Sequence, residues 1–364
     1  MPFVRQLAVA FAKKGVKVSV ICPLPINLCK EYKKVEEHYR EAVPDSPVID
    51  IFFPKFIGFG QRRVLFFNTS RLTILTFERA VTKIIKQYDI NPDVFYGHFI
   101  TPSGIVACRI GKITKRPAFI AYGESSPWSI KHFGAKRVRK ELASVSGIIS
   151  VSSSNRDDLL SLRITSEDKI GVFPNGFDDR LFYPVNQLEA RNHFSLPADA
   201  FIVSFVGHFI ERKGISKLEQ AIDQLDNVYL ICAGKGPLKP TTKKCLFAAP
   251  VNQEDLRFFY SASDVFVLPT TNEGCCNAII EAIACEIPIV SSNLPFNNDV
   301  LNDSNSIKID PLNVDEIKKA ILKIRSSQAL CVKMKNACQE SSMSLSINSR
   351  AERILSFISE RANL

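Results

Sequence analysis

The sequence predicts an α/β chain of two domains, each a parallel sheet wrapped in helices. Short β-branched runs alternate along the chain with longer amphipathic stretches, the pattern of buried parallel strands joined by crossover helices. A length of 364 residues exceeds one ordinary core and suits two such domains. Hydrophobic residues at 46% and charged residues at 23% give a globular composition, with no internal repeat or low-complexity stretch.

The elements follow in order. Residues 3–14 read as a helix and Val16–Cys22 as a strand ended by Pro23. Apolar positions at helical spacing (Leu72, Leu75, Val81, Ile84, Ile85) predict a helix over 69–87. A short strand at Asp93–Tyr96 leads to His98; Ser103–Ile113 is a helix, and Ala118–Tyr122 and Gly147–Val151 are strands. Ser152–Leu162 is a helix opened by serines suited to N-capping. A second series begins near Ile170. Its strands are Phe201–Val206, Val228–Cys232, Val265–Leu268 and Ile287–Ser291. Its helices are Ile215–Leu225, Leu256–Ser261, Asn277–Ala284 and Val314–Arg325, with a last amphipathic helix over 348–361. The Pro-bearing stretch Val172–Pro184 reads as the interdomain linker. The expected division is therefore 1–171, 172–347, and a terminal helix at 348–364 that packs back on the first domain.

Composition narrows the function classes. No uncharged apolar run approaches the roughly 18 residues of a membrane span. The start lacks the charge-then-apolar order of a secretory signal. Ten cysteines include no C-x-x-C pair and no zinc spacing, so no metal site is expected. Cys22, Cys108, Cys232 and Cys285 sit in apolar surroundings, which predicts reduced thiols and a cytoplasmic chain. The charge is uneven: residues 1–172 hold 27 Lys and Arg against 15 acids, and the remainder 20 against 22. The whole positive excess lies in the first half, which points to an anionic surface or ligand there. No zinc-finger, RNP or helix-turn-helix signature accompanies it, so nucleic acid is not expected.

Three features of the second half converge on a diphosphate and a sugar. In Phe205–Gly214 (FVGHFIERKG) a strand ends at Gly207, and Arg212 and Lys213 stand just before a glycine and a helix. Cations at a strand's carboxyl end are placed to hold phosphate oxygens. In Leu268–Glu281 (LPTTNEGCCNAIIE) a strand runs through a polar loop with Gly274 into a helix, whose N-terminus is an anion site. Glu273 and Glu281, eight apart, suit sugar and ribose hydroxyls. The Gly-rich Ala233–Pro237 (AGKGP) ends a neighbouring strand but is too short for the dinucleotide fingerprint, which counts against a nicotinamide enzyme.

These elements resemble the retaining glycosyltransferases of family 4, which use the GT-B fold of two facing Rossmann-like domains. The family's pair of glutamates eight apart looks like Glu273 and Glu281, and its Gly…Lys-Gly element looks like Gly207 to Gly214. Pro174-Asn175-Gly176-Phe177-Asp178, with Phe182 and Pro184, is similar to its linker. The likeness is strong over about 145–325 and looser before. It implies that Lys213, with Arg212, stabilises the leaving nucleoside diphosphate and that Glu281 holds the donor ribose. Glu273, with the backbone of Gly274, Cys275 and Cys276, would hold the transferred sugar and distal phosphate, with Asn277, Gly207 and His208 beside them. It also implies retention without a side-chain nucleophile, no metal and no cofactor beyond the nucleotide-sugar substrate.

The resemblance marks departures too. Members open with a strand and Gly-rich loop ahead of the helix at Phe3–Lys14, which reads here as an upstream start or a lost segment. Tyr122 and Glu124 fall where the family has a His-Gly-x-Asp element, His208 where an arginine often follows the glycine, and Glu286 where a glycine is usual. His98, in a strand-end Gly-His-Phe, resembles another family element, so His98, Tyr122 and Glu124 are the expected acceptor-side residues. Trp128 could stack on an acceptor sugar or sit in the core. Two basic-aromatic stretches, Phe52–Arg71 (Phe52, Phe53, Phe56, Phe59, Phe66, Phe67 with Lys55, Arg62, Arg63, Arg71) and Lys131–Lys140, would face an acceptor or an anionic membrane, or be core aromatics beside a solvated basic face. The expected activity is hexose transfer from a nucleotide-sugar to a lipid-linked glycan in cell-surface polysaccharide biosynthesis, at the cytoplasmic membrane face. A non-catalytic partner protein and a sugar-nucleotide epimerase of the same fold stay open.

Overall fold

The computed structural model describes residues 2–59, 63–64 and 67–364, which form two compact units. Unit 1 comprises Met1–Phe173 with Ala351–Leu364, and unit 2 comprises Pro174–Arg350. Arg62 and Phe66 of the first basic-aromatic stretch lie outside the described residues, as do the side chains of Arg63 and Phe67.

Unit 1 opens with helix α1 (Pro2–Lys13) and strands β1 (Ser19–Ile21), β2 (His38–Glu41) and β3 (Ile49–Phe52). β1 pairs parallel and β2 antiparallel with β3, leaving β1 at the edge. Cys22, just past this edge strand, is exposed at its surface, although partial burial still raises its thiol; Cys108, Cys232 and Cys285 are buried. A second sheet is wholly parallel, in the order β7 (Ile170–Val172), β6 (Gly147–Ser150), β5 (Ala118–Tyr122), β4 (Phe95–His98). β5 is buried at all five positions, the apolar run of a strand covered on both faces. Its helices are α2 (Ser70–Gln87), α3 (Ile105–Thr114), α4 (Trp128–Phe133), α5 (Ala135–Glu141) and α6 (Ser153–Ser161). Ser152 caps α6, its hydroxyl accepting from the Asn155 amide at 3.2 Å.

Three of the four described phenylalanines of the first basic-aromatic stretch pack against other rings of unit 1. Phe52 is buried and stacks on His38 at 4.5 Å, Phe53 stacks on Tyr39 at 5.8 Å, and Phe56 meets Phe77 edge-on at 5.5 Å. Phe59 alone among the described phenylalanines of the stretch is exposed.

Unit 2 is a six-stranded parallel sheet in the order β10 (Cys245–Ala249), β9 (Val228–Ala233), β8 (Phe201–Val206), β11 (Val265–Leu268), β12 (Ile289–Ser292), β13 (Ser306–Ile309). The chain builds outward from β8 through β9 to β10, returns to the other side of β8 with β11, and builds outward again. The strand order therefore reverses between β8 and β11, where an α/β sheet opens a crevice at its carboxyl edge. The helices are α7 (Gln187–His193), α8 (Ile215–Asp223), α9 (Leu256–Ser261), α10 (Asn277–Ala284), α11 (Val314–Arg325) and α12 (Gln328–Leu345). Asp264, just before β11, fixes the central pair by accepting from the Ile202 amide of β8 at 2.7 Å and from Arg191 at 2.9 Å. The last helix, α13 (Ile347–Ala362), begins at the end of unit 2, and from Ala351 onward its residues belong to unit 1. There Phe357 packs on Phe119 and Phe173.

No sequence pattern marks an element in 326–347, yet α12 fills most of it. Only Met334, Cys338 and Leu345 of this helix are buried, so its apolar stripe is too sparse to signal a helix. Among the described residues no helix is long and apolar enough to cross a membrane.

Candidate functional site

The loops leaving β8 and β11 meet at the strand-order reversal, and the local sequence explains why they can. Gly214 has φ +74°, and a Cβ there would overlap the carbonyl oxygen of Pro269. Glycine alone allows both the left-handed turn and this approach. The loops are then stitched through one acceptor. The Arg212 carbonyl receives the Thr271 amide at 2.9 Å and the hydroxyls of Thr270 and Thr271 at 3.1 and 3.3 Å. On the β9 side, a Cβ at Gly234 would overlap the Gly207 carbonyl, so the AGKGP turn keeps the end of β8 close to β9.

This stitching sets two cations against one carboxylate. Lys213 Nζ lies 2.5 Å and Arg212 Nη1 3.2 Å from Glu273 Oε1, which also accepts from the Thr270 hydroxyl at 3.0 Å. Arg212 additionally donates to the Asn272 carbonyl. The Lys213 and Glu273 side chains are only 14% and 11% exposed, so their attraction is little screened by water. Two positive charges thus face one negative charge, an arrangement that retains a net attraction for anions.

Helix α10 starts directly beyond. Its cap residue, Cys276, makes no side-chain capping bond, and its first turn carries no acid. Burial pushes the Cys275 and Cys276 thiols up to about 12 and about 11, so both stay neutral and the positive end of the helix dipole is unopposed. Asn175, within the 172–184 stretch, ties that segment to this start, with Nδ2 donating to Asn277 Oδ1 at 2.8 Å. Glu281 follows on the second turn, where burial raises its carboxyl to about 7 while the Tyr260 hydroxyl, donating at 2.8 Å, opposes that rise. Glu273 and Glu281 occupy separate environments, one ion-paired and one on the helix against a buried tyrosine.

Gly207, His208, Arg212, Lys213, Glu273, Gly274, Cys275, Cys276, Asn277 and Glu281 all belong to these two loops and α10, with His208 exposed. The residues expected on the acceptor side lie in unit 1, at or just beyond the carboxyl ends of the neighbouring strands β4 and β5. His98 is half-buried and meets Tyr96 edge-on at 5.2 Å. Tyr122 is fully buried in the unit's core, and burial raises its hydroxyl. Glu124 accepts from the Ser129 hydroxyl at 2.6 Å, anchoring the start of α4, and burial raises its carboxyl.

Several supporting residues escape the sequence reading. Tyr260 sits on α9, and only packing reveals its bond to Glu281. Thr270 and Thr271 lie inside the quoted loop, where their doublet is the one available signal. Behind them, Ser291 donates to the Leu268 carbonyl at 2.7 Å, Ser292 donates to the Thr270 carbonyl, and buried Asn297 donates to Ser292 at 2.8 Å.

Comparisons with known proteins agree with the fold. The family model "Glycosyltransferase Family 4" matches residues 3–181, and "Glycosyl transferases group 1" matches residues 186–341. The chain is 26% identical over 336 residues to TuaC of Bacillus subtilis (strain 168), assigned as a glycosyltransferase of teichuronic acid biosynthesis, covering 87% of this chain and 82% of that protein. It is 27% identical over 202 residues to the capsular polysaccharide biosynthesis glycosyltransferase CapM of Staphylococcus aureus, covering 50% and 53%. Among solved structures, sucrose-phosphate synthase from Thermosynechococcus elongatus superposes with a TM-score of 0.76 at 20% identity, over 99% of this chain and 92% of that one. HepE of Anabaena, solved with UDP and glucose, superposes with a TM-score of 0.71 at 15% identity, over 98% and 95%.

Proposed function

The chain belongs to the family 4 type of GT-B glycosyltransferases, and from that premise we propose that it moves a hexose from a nucleotide-sugar to a lipid-linked glycan, with retention and without a metal, in cell-surface polysaccharide biosynthesis. The observation that carries this reading is the meeting of Arg212, Lys213, Glu273 and the start of α10 at the strand-order reversal of unit 2. The relatives named above support the polysaccharide role, and the UDP and glucose held by HepE support a nucleotide-sugar donor.

The residues then act as follows. The donor diphosphate takes the cations of Arg212 and Lys213 and the dipole of α10, positions where fixed charge replaces a metal. Glu273, released from its ion pair, accepts from hydroxyls of the transferred sugar, and ionised Glu281 accepts from the ribose. As the bond from the anomeric carbon to phosphate oxygen breaks, its electron pair passes to the diphosphate, and Lys213 stabilises the charge that builds there. The acceptor hydroxyl attacks on the face the diphosphate leaves and gives its proton to the departing phosphate oxygen. No side-chain nucleophile is required.

Calorimetry of the full chain with UDP, GDP and ADP, then with their sugars, tests the donor site. A matched ligand at 100 times its dissociation constant should raise stability by about 2.7 kcal/mol. Failure of every nucleotide to bind at millimolar concentration sinks the reading. Transfer that persists in EDTA, with the product's anomeric configuration read by NMR, tests the metal and retention clauses.

A further inference from the structure

Glu281 takes a hydrogen bond from a tyrosine that no motif marks. Tyr260 lies on α9, 21 residues before it in the chain, and its hydroxyl donates to Glu281 Oε2 at 2.8 Å. The tyrosine is wholly buried, whereas Glu281 is half-buried and keeps part of itself open to a ligand.

Tyr260 is fixed at its ring and at its backbone. Phe182 and Phe266 of β11 hold the ring edge-on at 6.4 and 5.6 Å. The Tyr260 carbonyl accepts from the Ser263 amide at 3.0 Å and from the Ser263 hydroxyl at 2.7 Å. Ser263 in turn shares a hydrogen bond with Ser204 of β8 at 2.8 Å. One residue on, the Ser261 hydroxyl accepts from the Val185 amide at 3.1 Å. The phenol is therefore tied to β8 and β11, the two strands between which the order reverses.

Packing alone gives no reason for the hydroxyl. A phenylalanine would fill the same ring pocket, and a buried phenol oxygen must find a partner or cost stability. Here the partner is a carboxylate, and a hydrogen bond donated to a carboxylate favours its ionised form. That bond opposes burial, which drives the Glu281 carboxyl up to about 7. The other titratable groups around the pair are Cys276 and Cys285 of α10, whose thiols burial keeps neutral. Arg257, one turn before Tyr260, acts on Cys285 and faces the rings of Tyr183 and Phe258 at 5.1 and 4.7 Å. The tyrosine is thus the group that offsets burial at this carboxylate.

A carboxylate that accepts from a sugar hydroxyl needs charge and a fixed direction, and the bond from Tyr260 supplies both. On the reading that Glu281 holds the ribose, we propose that Tyr260 is a positioning residue of the donor site, its hydroxyl holding Glu281 ready to accept from the nucleotide. It acts through Glu281 and needs no contact of its own with the ligand.

The test is calorimetry of the full chain from about pH 5 to about pH 9 with the tightest binder of UDP, GDP and ADP, against its dideoxyribose form. Both ligands carry the same diphosphate, so its own titration cancels in the ratio of their affinities. In wild type that ratio should favour the ribose form and climb through about pH 7. Tyr260→Phe should move the midpoint of the climb up by about one unit, because the bond that favours the ionised carboxylate is gone. The ribose preference should then be about fivefold smaller than in wild type near pH 7 and recover by about pH 9. In Glu281→Gln the ratio should be flat, and adding Tyr260→Phe should change nothing further. Tyr260→fluorotyrosine, which keeps the ring and donates more strongly, should move the midpoint down and serves if the phenylalanine variant does not fold. A midpoint unmoved by these changes, or a Tyr260→Phe effect that persists in Glu281→Gln, overturns the proposal while leaving Glu281 its role. A wild type that binds the dideoxyribose form as tightly removes Glu281 from the ribose and Tyr260 with it.

Discussion

The two units carry charge in opposite ways. Unit 1 holds 29 Lys and Arg against 17 acids, and unit 2 holds 18 against 20. Yet the anion site assigned to the donor lies in the unit with the negative balance. In unit 2 the cations that matter are partly buried at strand ends and matched by Glu273; in unit 1 they stand exposed on helix surfaces. A charge count therefore locates surfaces. A binding site is located by strand order, loop glycines and helix starts, because its own charges are largely neutralised in the count.

The largest way to break this comparison is Lys213→Ala. Removing a fixed charge aimed at a developing anion should lower kcat about 10²–10³-fold, with a smaller change in KM. An equal rise in KM with normal kcat would make Lys213 a simple binding residue. Next in size is Gly214→Ala, which should destabilise the chain by about 3 kcal/mol through its left-handed backbone and overlap with Pro269. Chemical denaturation reads it, and a loss below about 1 kcal/mol would mean the loops are not closely packed.

Glu281→Gln separates stability from binding in unit 2. Its folded pKa of about 7 lies above the ordinary 4.5, so the fold favours the protonated form. Its stabilisation is complete below about pH 4.5 and is lost as pH rises through about 7. The glutamine variant should therefore gain on the order of 2 kcal/mol over wild type at about pH 8, and little at about pH 4. Nucleotide binding should move the other way. If the ionised carboxylate accepts the ribose hydroxyls as proposed, wild-type affinity should climb as pH rises through about 7. The variant should stay flat and about tenfold weaker at the upper end. Calorimetry at several pH values decides this, and a parallel pH profile for both proteins would remove Glu281 from the site.

Much of this was legible because the signals are local. β5 and β11 are unbroken apolar runs, β8 is interrupted only by Ser204, and α10 is apolar apart from Asn277 and Glu281; the ranges of all four match residue for residue. Arg212, Lys213, Glu273 and Glu281 stand out because cation, glycine and carboxylate spacing falls at strand ends. What was not legible depends on packing across long separations. Tyr260 reaches Glu281 from 21 residues away, and Arg109 reaches Glu78 and Glu141 from 31 and 32. The phenylalanines of 52–56 left two readings open: an amphipathic surface and a core strand share the same composition until the partner rings of His38, Tyr39 and Phe77 are in place.

The smallest effect lies at Glu286, where sequence and backbone disagree within the helix that carries the site. α10 ends in a Schellman arrangement, with the Ile287 amide donating to the Ala282 carbonyl at 3.1 Å and the Glu286 amide to the Ile283 carbonyl at 3.0 Å. That motif needs a left-handed residue, and Glu286 supplies it at φ +57°. An L-residue with a Cβ holds this conformation at a cost of about 1–2 kcal/mol, which glycine avoids. Glycine also leaves a freer unfolded chain, which returns part of the gain. Glu286→Gly should then stabilise unit 2 by about 1 kcal/mol, raising its Tm by roughly 2–4 °C. Because the change acts on the cap and not on Glu281, nucleotide affinity should be unaltered. Calorimetric melting of the full chain reads the shift, and if the two units melt separately only one transition should move. A lower Tm in the glycine variant would show that the Glu286 side chain contributes more than its backbone strain removes.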